Sequence, residues 1–307
     1  MKTKIVIVGL GGVGGYFGGL LAKYYSKNPD VEIYFVARGE HLRKVQANGL
    51  QLITENETFQ IFPTLATDNI AEIGIADYII MTPKSYDLES TAEQIKPIIA
   101  ANTVIIPLLN GIDNSERIRN LLPETEVWDG CCYIVAKIKE PGVVENAGNI
   151  HRMVFGYQNQ TNERLLAFEK LLTDAGIEAR FYEDILTEIW KKFFFISTSA
   201  SLTSYFNVSY GEILTDMVQR QTLVDISTEL IKVANAEGIA IDNSEIDKLI
   251  HQFEKLPVGT TTSMHRDFLA GKNTEVDTLT GIVIKLGIKH GISTPTYEKV
   301  FVKLKGL

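Results

Sequence analysis

The stretch Lys4-Ile5-Val6-Ile7-Val8-Gly9-Leu10-Gly11-Gly12-Val13-Gly14-Gly15-Tyr16-Phe17-Gly18 constrains the fold more than any other part of the chain. A β-branched run without polar interruption reads as a strand buried on both faces. It ends in G-x-G-x-x-G at Gly9, Gly11 and Gly14, and an apolar helical pattern follows. Gly9 permits the sharp strand-to-helix turn, Gly11 lets the backbone approach a pyrophosphate, and Gly14 lets the helix pack close to the strand. The helix start then aims unpaired N–H groups and the positive end of its dipole at the phosphates. A lone G-x-G-x-x-G is weak evidence, but one set between a buried strand and an apolar helix is specific. The expectation is an α/β fold with an N-terminal Rossmann-type dinucleotide-binding domain. Its pyrophosphate cradle would be the backbone of Gly9, Leu10, Gly11, Gly12, Val13 and Gly14. The alternative is a glycine-rich turn that binds nothing.

The next strand, 31–36, decides the cofactor type. In such folds an acidic residue at the strand end bonds the ribose 2′-hydroxyl of NAD, whereas an arginine there suits the 2′-phosphate of NADP. Here the strand ends Val36-Ala37-Arg38-Gly39, and Asp30 and Glu32 lie at its other end. Arg38 therefore points to NADP, the alternative being a solvated surface arginine. Residues 49–53 and 58–62 read as a short hairpin, and 76–82 and 103–109 as further central strands. Lys84 follows the first of these and Asn110 the second, at the carboxyl ends where open α/β sheets bind ligands. Asn110-Gly111 also suits a plain turn. Residues 128–136 and 143–155, separated by Pro141-Gly142, read as paired strands, and a helix at 162–175 and a strand at 178–182 complete the domain.

From about residue 183 strand patterns give way to helical periodicity at 185–201, 212–237, 244–256, 264–270, 275–290 and 295–305. The last has Thr294 as N-cap and Pro295 at its first position. The expected division is residues 1–182 as the NADP-binding domain and 183–307 as a helical substrate-binding and catalytic domain, with no flexible linker between them. A chain of 307 residues, 45% hydrophobic and 22% charged, has ample apolar material for such a core, and its net charge of −8 argues against a nucleic-acid partner. No apolar stretch is long enough to span a membrane. Cys131 and Cys132 are adjacent, which disfavours a mutual disulfide, and two cysteines alone make no zinc site; both facts point to a reducing cytoplasm. The five histidines show no metal-ligand spacing, so no metal is expected. The oligomeric state stays open, because the apolar helices of the second domain serve equally as core or as the surface of a homodimer.

Hydride transfer to a ketone leaves an alkoxide that must be protonated or stabilised, and a lysine in a cleft can do both. Trp190-Lys191-Lys192-Phe193-Phe194-Phe195 places lysines at the rim of a buried surface, and periodicity alone does not choose between Lys191 and Lys192. Thr260-Thr261-Thr262-Ser263-Met264 reads as a hydroxyl-rich helix start, suited to a carboxylate or to plain capping. Glu275 begins another helix, where an acid also answers the dipole.

Taken together, these motifs resemble the ketopantoate reductases (2-dehydropantoate 2-reductases) nearly end to end. The resemblance rests on Gly9-x-Gly11-x-x-Gly14, Arg38, Lys84, Leu108-Leu109-Asn110-Gly111, Gly130, Ala136 and Pro141-Gly142-Val143-Val144. It continues through Ile189-Trp190-Lys191-Lys192, Thr262-Ser263-Met264-x-x-Asp267, Glu275 and His290-Gly291-Ile292-x-Thr294-Pro295. It implies a second domain like that of 6-phosphogluconate dehydrogenase. By resemblance, Lys192 rather than Lys191 donates the proton, and Ser263 binds the keto-acid carboxylate. Glu275 helps place cofactor and substrate as a catalytic group, and Arg38 holds the 2′-phosphate. Lys84, Asn110 and Ala136 line the cofactor, with Asn110 also near the substrate. The implied activity is NADPH-dependent reduction of ketopantoate to pantoate, serving pantothenate and coenzyme A synthesis.

The chain departs from the family where asparagines are replaced by Ile196, Ala200, Tyr210 and Thr260. A pocket that hydrogen-bonds a substrate hydroxyl discriminates through such groups. Either Ser197, Ser199, Ser204 or Tyr205 supplies the missing contact from a turned helix, or the substrate is a less polar 2-oxo acid; the remaining alternative is an NADP-binding sensor without turnover.

Overall fold

The computed structural model describes residues 2–306, the side chain of Asn149 excepted. It divides into two units, residues 1–109 with 113–185, and residues 110–112 with 186–307.

The first unit runs β1 (Thr3–Val8), α1 (Gly12–Tyr25), β2 (Val31–Val36), α2 (Gly39–Asn48), β3 (Leu50–Ile53), β4 (Thr58–Ile61) and β5 (Leu65–Thr67). It continues with β6 (Tyr78–Met81), α3 (Leu88–Gln94), β7 (Val104–Pro107), α4 (Asn114–Leu121) and β8 (Glu126–Val127). Two long strands, β9 (Asp129–Glu140) and β10 (Val143–Gly156), precede α5 (Glu163–Asp174) and β11 (Glu178–Phe181). One sheet has the order β5-β2-β1-β6-β7-β8 with every pair parallel, the doubly wound arrangement of a Rossmann-type domain. The other has the order β11-β10-β3-β4, and β9 lies antiparallel on β10.

The apolar run of β1 forms the centre of the parallel sheet because both of its faces are covered. Ile5, Val6 and Ile7 have no exposed surface. Burying each such side chain contributes about 1.5–3 kcal/mol. Helix α1 approaches unusually closely, since a Cβ on Gly18 would lie 2.9 Å from Ile7 and Phe35. Register sets the ligand edge: Val8 pairs with Val36 and Met81, and Met81 pairs with Pro107. The chain segments after β1, β2, β6 and β7 thus leave one carboxyl edge at the same level.

The second unit is helical: α6 (Ile185–Phe206, its first residue in the other unit), α7 (Tyr210–Thr215), α8 (Met217–Ala236), α9 (Ser244–Lys255), α10 (Ser263–Leu269), α11 (Ile282–His290) and α12 (Pro295–Lys305). A π-helical turn, Asp277–Gly281, leads into α11. The structure differs from expectation in two places. The unit boundary differs from 182/183, and residues 110–112 belong with the helices, because Ile112 packs into their core and Asn110 bonds Lys192. The helix expected over 212–237 is two helices, because the Asp216 carboxylate accepts from the Val218 and Gln219 N–H groups at 2.9 Å and starts α8 afresh. Thr294 is the N-cap residue of α12 and Pro295 its first residue, as expected, but the Thr294 side chain makes no cap bond; the buried Glu229 carboxylate on α8 accepts from Thr296 N–H (2.8 Å) and Tyr297 N–H (3.0 Å). Among the described residues no helix is long and apolar enough to cross a membrane.

Candidate functional site

In the first unit the glycine turn has the geometry of an anion cradle. Gly9 sits at φ +96°, a conformation that favours glycine. The Thr82 hydroxyl, first past β6, donates to the Gly9 carbonyl and pins the turn. Gly11 caps α1 in an extended conformation, with no side-chain cap and no acidic residue in the first turn. The helix therefore presents its first N–H groups and dipole to whatever lies before it. A Cβ on Gly14 would lie 2.3 Å from the Gly9 carbonyl, so the helix packs as close as a glycine allows. On Gly12 it would lie 2.3 Å from the Ala136 carbonyl, which brings Ala136 of β9 directly against the turn. On Gly11, by contrast, it would meet nothing within 4 Å. That open approach beside an uncapped helix start fits a pyrophosphate.

Arg38 caps α2 just past the end of β2, with its side chain 76% exposed and 3.6 Å from the Asp87 carboxylate. An exposed ion pair of this kind contributes only about 0–1 kcal/mol, so an arriving phosphate competes easily for the guanidinium. Glu32, at the amino half of the strand, is engaged by Lys2 (2.7 Å) and the Tyr34 hydroxyl (2.8 Å). Lys2 lowers its carboxyl below the ordinary carboxylate range. Lys84 follows β6, half-buried, ahead of a short 3₁₀ turn. Thr82 and Asp87 are the neighbours that sequence reading did not single out; the one available signal was their place just after a buried strand.

In the second unit the structure separates the two lysines. Lys192 is 9% exposed, and its ammonium donates to Asn110 Oδ1 at 3.1 Å. Lys191, about 100° around the helix, has its side chain 46% exposed and pairs with Glu188 at 3.0 Å. Glu275 is 5% exposed and stands just ahead of the π turn. Ser263 is exposed at the first position of α10. The capping task falls to Thr262, whose hydroxyl accepts from His265 N–H at 3.2 Å and meets the Thr203 hydroxyl of α6 at 2.9 Å. His265 Nε2 bonds Asn207 Oδ1 at 2.7 Å, and burial, helped by the Arg266 charge, holds this imidazole below the usual histidine range.

The departing positions are mostly committed elsewhere. Ala200 is 2% exposed, and Tyr210 stacks on Phe253 at 4.4 Å, burial pushing its phenol up to about 12. Thr260 donates to the Pro257 carbonyl at 2.6 Å. Ile196, one turn along from Lys192, is half-buried.

The family model described as "Ketopantoate reductase PanE/ApbA" matches residues 5–160, and "Ketopantoate reductase PanE/ApbA C terminal" matches 184–307. A crystal structure of 2-dehydropantoate 2-reductase from Porphyromonas gingivalis W83 is 34% identical, with a TM-score of 0.88 over 99% of this chain and 100% of that one. The uncharacterized oxidoreductase YkpB of Bacillus subtilis (strain 168) is 30% identical over 98% of each chain. A D-mandelate dehydrogenase solved with NADH and anilino(oxo)acetate shares the fold at 24% identity, with a TM-score of 0.86 over 99% and 98% of the two chains. With both halves matched by one family and the fold shared end to end, the chain belongs to the ketopantoate reductase family of oxidoreductases.

Proposed function

We propose that the protein reduces a 2-oxo acid to the corresponding 2-hydroxy acid with NADPH, and that the acid is ketopantoate. The observation that carries this reading is Lys192, a buried ammonium oriented by Asn110 while its neighbour Lys191 is ion-paired in solvent. NADPH, when bound, supplies the hydride for carbon 2. The glycine turn, Ala136 and Lys84 hold the dinucleotide, and Arg38 holds its 2′-phosphate. Lys192 hydrogen-bonds the ketone oxygen and delivers a proton to it as negative charge develops. Asn110 keeps the ammonium aimed. The Ser263 hydroxyl holds the carboxylate, and Glu275 completes the placement of cofactor and substrate. The product is the 2-hydroxy acid, with one hydrogen on carbon 2 and one on oxygen.

Arg38→Ala should weaken NADPH binding about tenfold or more, since a hydrogen bond to a charged group contributes about 1.5–3 kcal/mol. NADH binding should hardly change. Titration of protein fluorescence with each cofactor checks this, and equal affinity of the wild type for both would remove Arg38 as the selecting residue.

A second reading, a less polar 2-oxo acid, draws on Ile196 and Ala200, which offer no hydrogen bond on the Lys192 side of α6. Relative kcat/KM on ketopantoate and on 2-oxoisovalerate, which lacks the terminal hydroxyl, tests the two. The ketopantoate assignment expects a preference for ketopantoate, and a preference for 2-oxoisovalerate replaces it with the second reading. If Ile196 sets the preference, Ile196→Asn should move the ratio several-fold toward ketopantoate. The gain is limited because an added amide must find partners when no ligand is bound. Ala200 is only 2% exposed, so asparagine there would add volume to a buried position, where overpacking typically costs about 1–3 kcal/mol.

A further inference from the structure

The π turn Asp277–Gly281 widens the backbone directly after Glu275, and it is anchored to the Lys192 helix by buried hydroxyls. The Leu279 N–H and the Thr278 hydroxyl both donate to the Glu275 carbonyl, at 2.9 and 3.1 Å, so Glu275 moves with the turn. Ser197 on α6 donates to the Leu279 carbonyl at 2.6 Å and lies 2.8 Å from the Tyr297 hydroxyl. A serine hydroxyl has one proton, and here it goes to the carbonyl, so Tyr297 must be the donor to Ser197. The relay runs from Tyr297 of α12 through Ser197 of α6 to the turn. One helical turn further, Ser201 meets the Thr280 hydroxyl at 2.8 Å. Ser197, Ser201, Thr280 and Tyr297 all have no exposed surface. Burial also pushes the Tyr297 phenol well above its ordinary value, which keeps it a neutral donor. Helix α12 closes on the turn so tightly that a Cβ on Gly281 would lie 2.8 Å from the Phe301 ring.

Buried hydroxyls are costly unless paired, and an apolar contact between α6 and the turn would hold them together without fixing their register. Two hydroxyl contacts one turn apart do fix it. Ser197 lies five residues beyond Lys192 on one continuous helix, about 7.5 Å along a rigid rod. π turns are rare and occur frequently at functional sites.

We infer that Ser197 and Tyr297 are positioning residues: their hydroxyl relay sets the π turn, and with it Glu275, in register with Lys192. This rests on the roles given to Lys192 and Glu275 under the proposed function. The test is a double-mutant cycle of Ser197→Ala and Glu275→Gln, measured with NADPH and whichever of ketopantoate and 2-oxoisovalerate the wild type turns over faster. Ser197→Ala should lower kcat about tenfold with little change in KM, and in the Glu275→Gln background it should lower kcat less than about twofold, because both changes act on one unit. Tyr297→Phe, which removes a single oxygen, should act in the same direction by about threefold and carries the cycle if Ser197→Ala does not fold. Full additivity, or an unchanged kcat in folded Ser197→Ala, would overturn the inference. Amide hydrogen exchange across residues 275–284 reads the same coupling without turnover. Exchange there should quicken about tenfold or more in Ser197→Ala if the relay holds the turn, and unchanged exchange would overturn the inference. A wild type that turns over no 2-oxo acid would instead count against the proposed function, and the exchange result would still decide the relay.

Discussion

Replacing Lys192 by alanine is expected to lower kcat by about two to four powers of ten, the range in which a positioned acid contributes. Binding of NADPH should survive, because the glycine turn and Arg38 lie in the other unit of the chain. Lys191→Ala should leave kcat nearly unchanged: that ammonium is spent on Glu188 at the surface, and its loss removes only an exposed pair. Steady-state kinetics on both variants check the pair of expectations together. Full turnover in Lys192→Ala with loss in Lys191→Ala would assign the proton donor to Lys191 and overturn this account. Asn110→Ala offers a graded version. It leaves the ammonium in place but takes away the oxygen 3.1 Å from it, so kcat should fall by less than in Lys192→Ala.

The second large effect separates folding from binding within the glycine turn. Gly14→Ala places a methyl 2.3 Å from the Gly9 carbonyl and 2.4 Å from the Thr82 hydroxyl. The helix must move, at a cost of about 1–3 kcal/mol or more, and Tm should fall by roughly 5–10 °C along with NADPH affinity. Gly11→Ala is different. Its φ of −79° suits alanine, and the methyl meets no protein atom within 4 Å. Thermal unfolding should be unchanged, while NADPH binding weakens by at least about tenfold because the methyl occupies the space a pyrophosphate must enter. Calorimetry and fluorescence titration on the two variants check this. Gly11→Ala binding NADPH as the wild type does would show that the open space beside α1 is not the cradle.

What could be read from sequence follows the range of the interactions concerned. The strand–turn–helix at Gly9–Gly14 was legible because the features that mark it are local, namely β-branched burial, one positive φ and the close approach of Gly14 to Gly9, whereas the Thr82 hydroxyl and Ala136 carbonyl that also press on the turn come from far along the chain. The parallel central strands were legible for the same reason, as uninterrupted apolar runs. Helices α2, α3 and α4 carry little periodic signal in the sequence, since each buries only two or three side chains. The break at Asp216 leaves no mark in the sequence pattern because the apolar period of α7 and α8 runs on through a residue whose carboxylate restarts the helix. The N-cap position of α12 was legible in Thr294-Pro295, but the acceptor for its first N–H groups was not, as Glu229 supplies it from 67 residues away. Long range also governs the candidate site. Lys191 and Lys192 look alike in sequence and part company only once Glu188 and Asn110 are in place. Asn110 was legible as a residue after a strand, but its membership of the helical unit is a property of packing. The π turn behind Glu275 reads in sequence as ordinary helix, because Ser197, Ser201 and Tyr297, which hold it, are scattered over two other helices.

Reductase chemistry is tested most directly by following the label from NADPH deuterated at carbon 4 of the nicotinamide. The protein is incubated with each stereoisomer of the labelled cofactor and ketopantoate, and the product acid is analysed by mass spectrometry. One stereoisomer should yield pantoate carrying a single deuterium on carbon 2, with the hydroxyl hydrogen drawn from solvent through Lys192, and Lys192→Ala should form this product far more slowly. NADPH that binds tightly but transfers no deuterium to ketopantoate or to 2-oxoisovalerate would contradict the reductase and leave a protein that senses the cofactor without spending it.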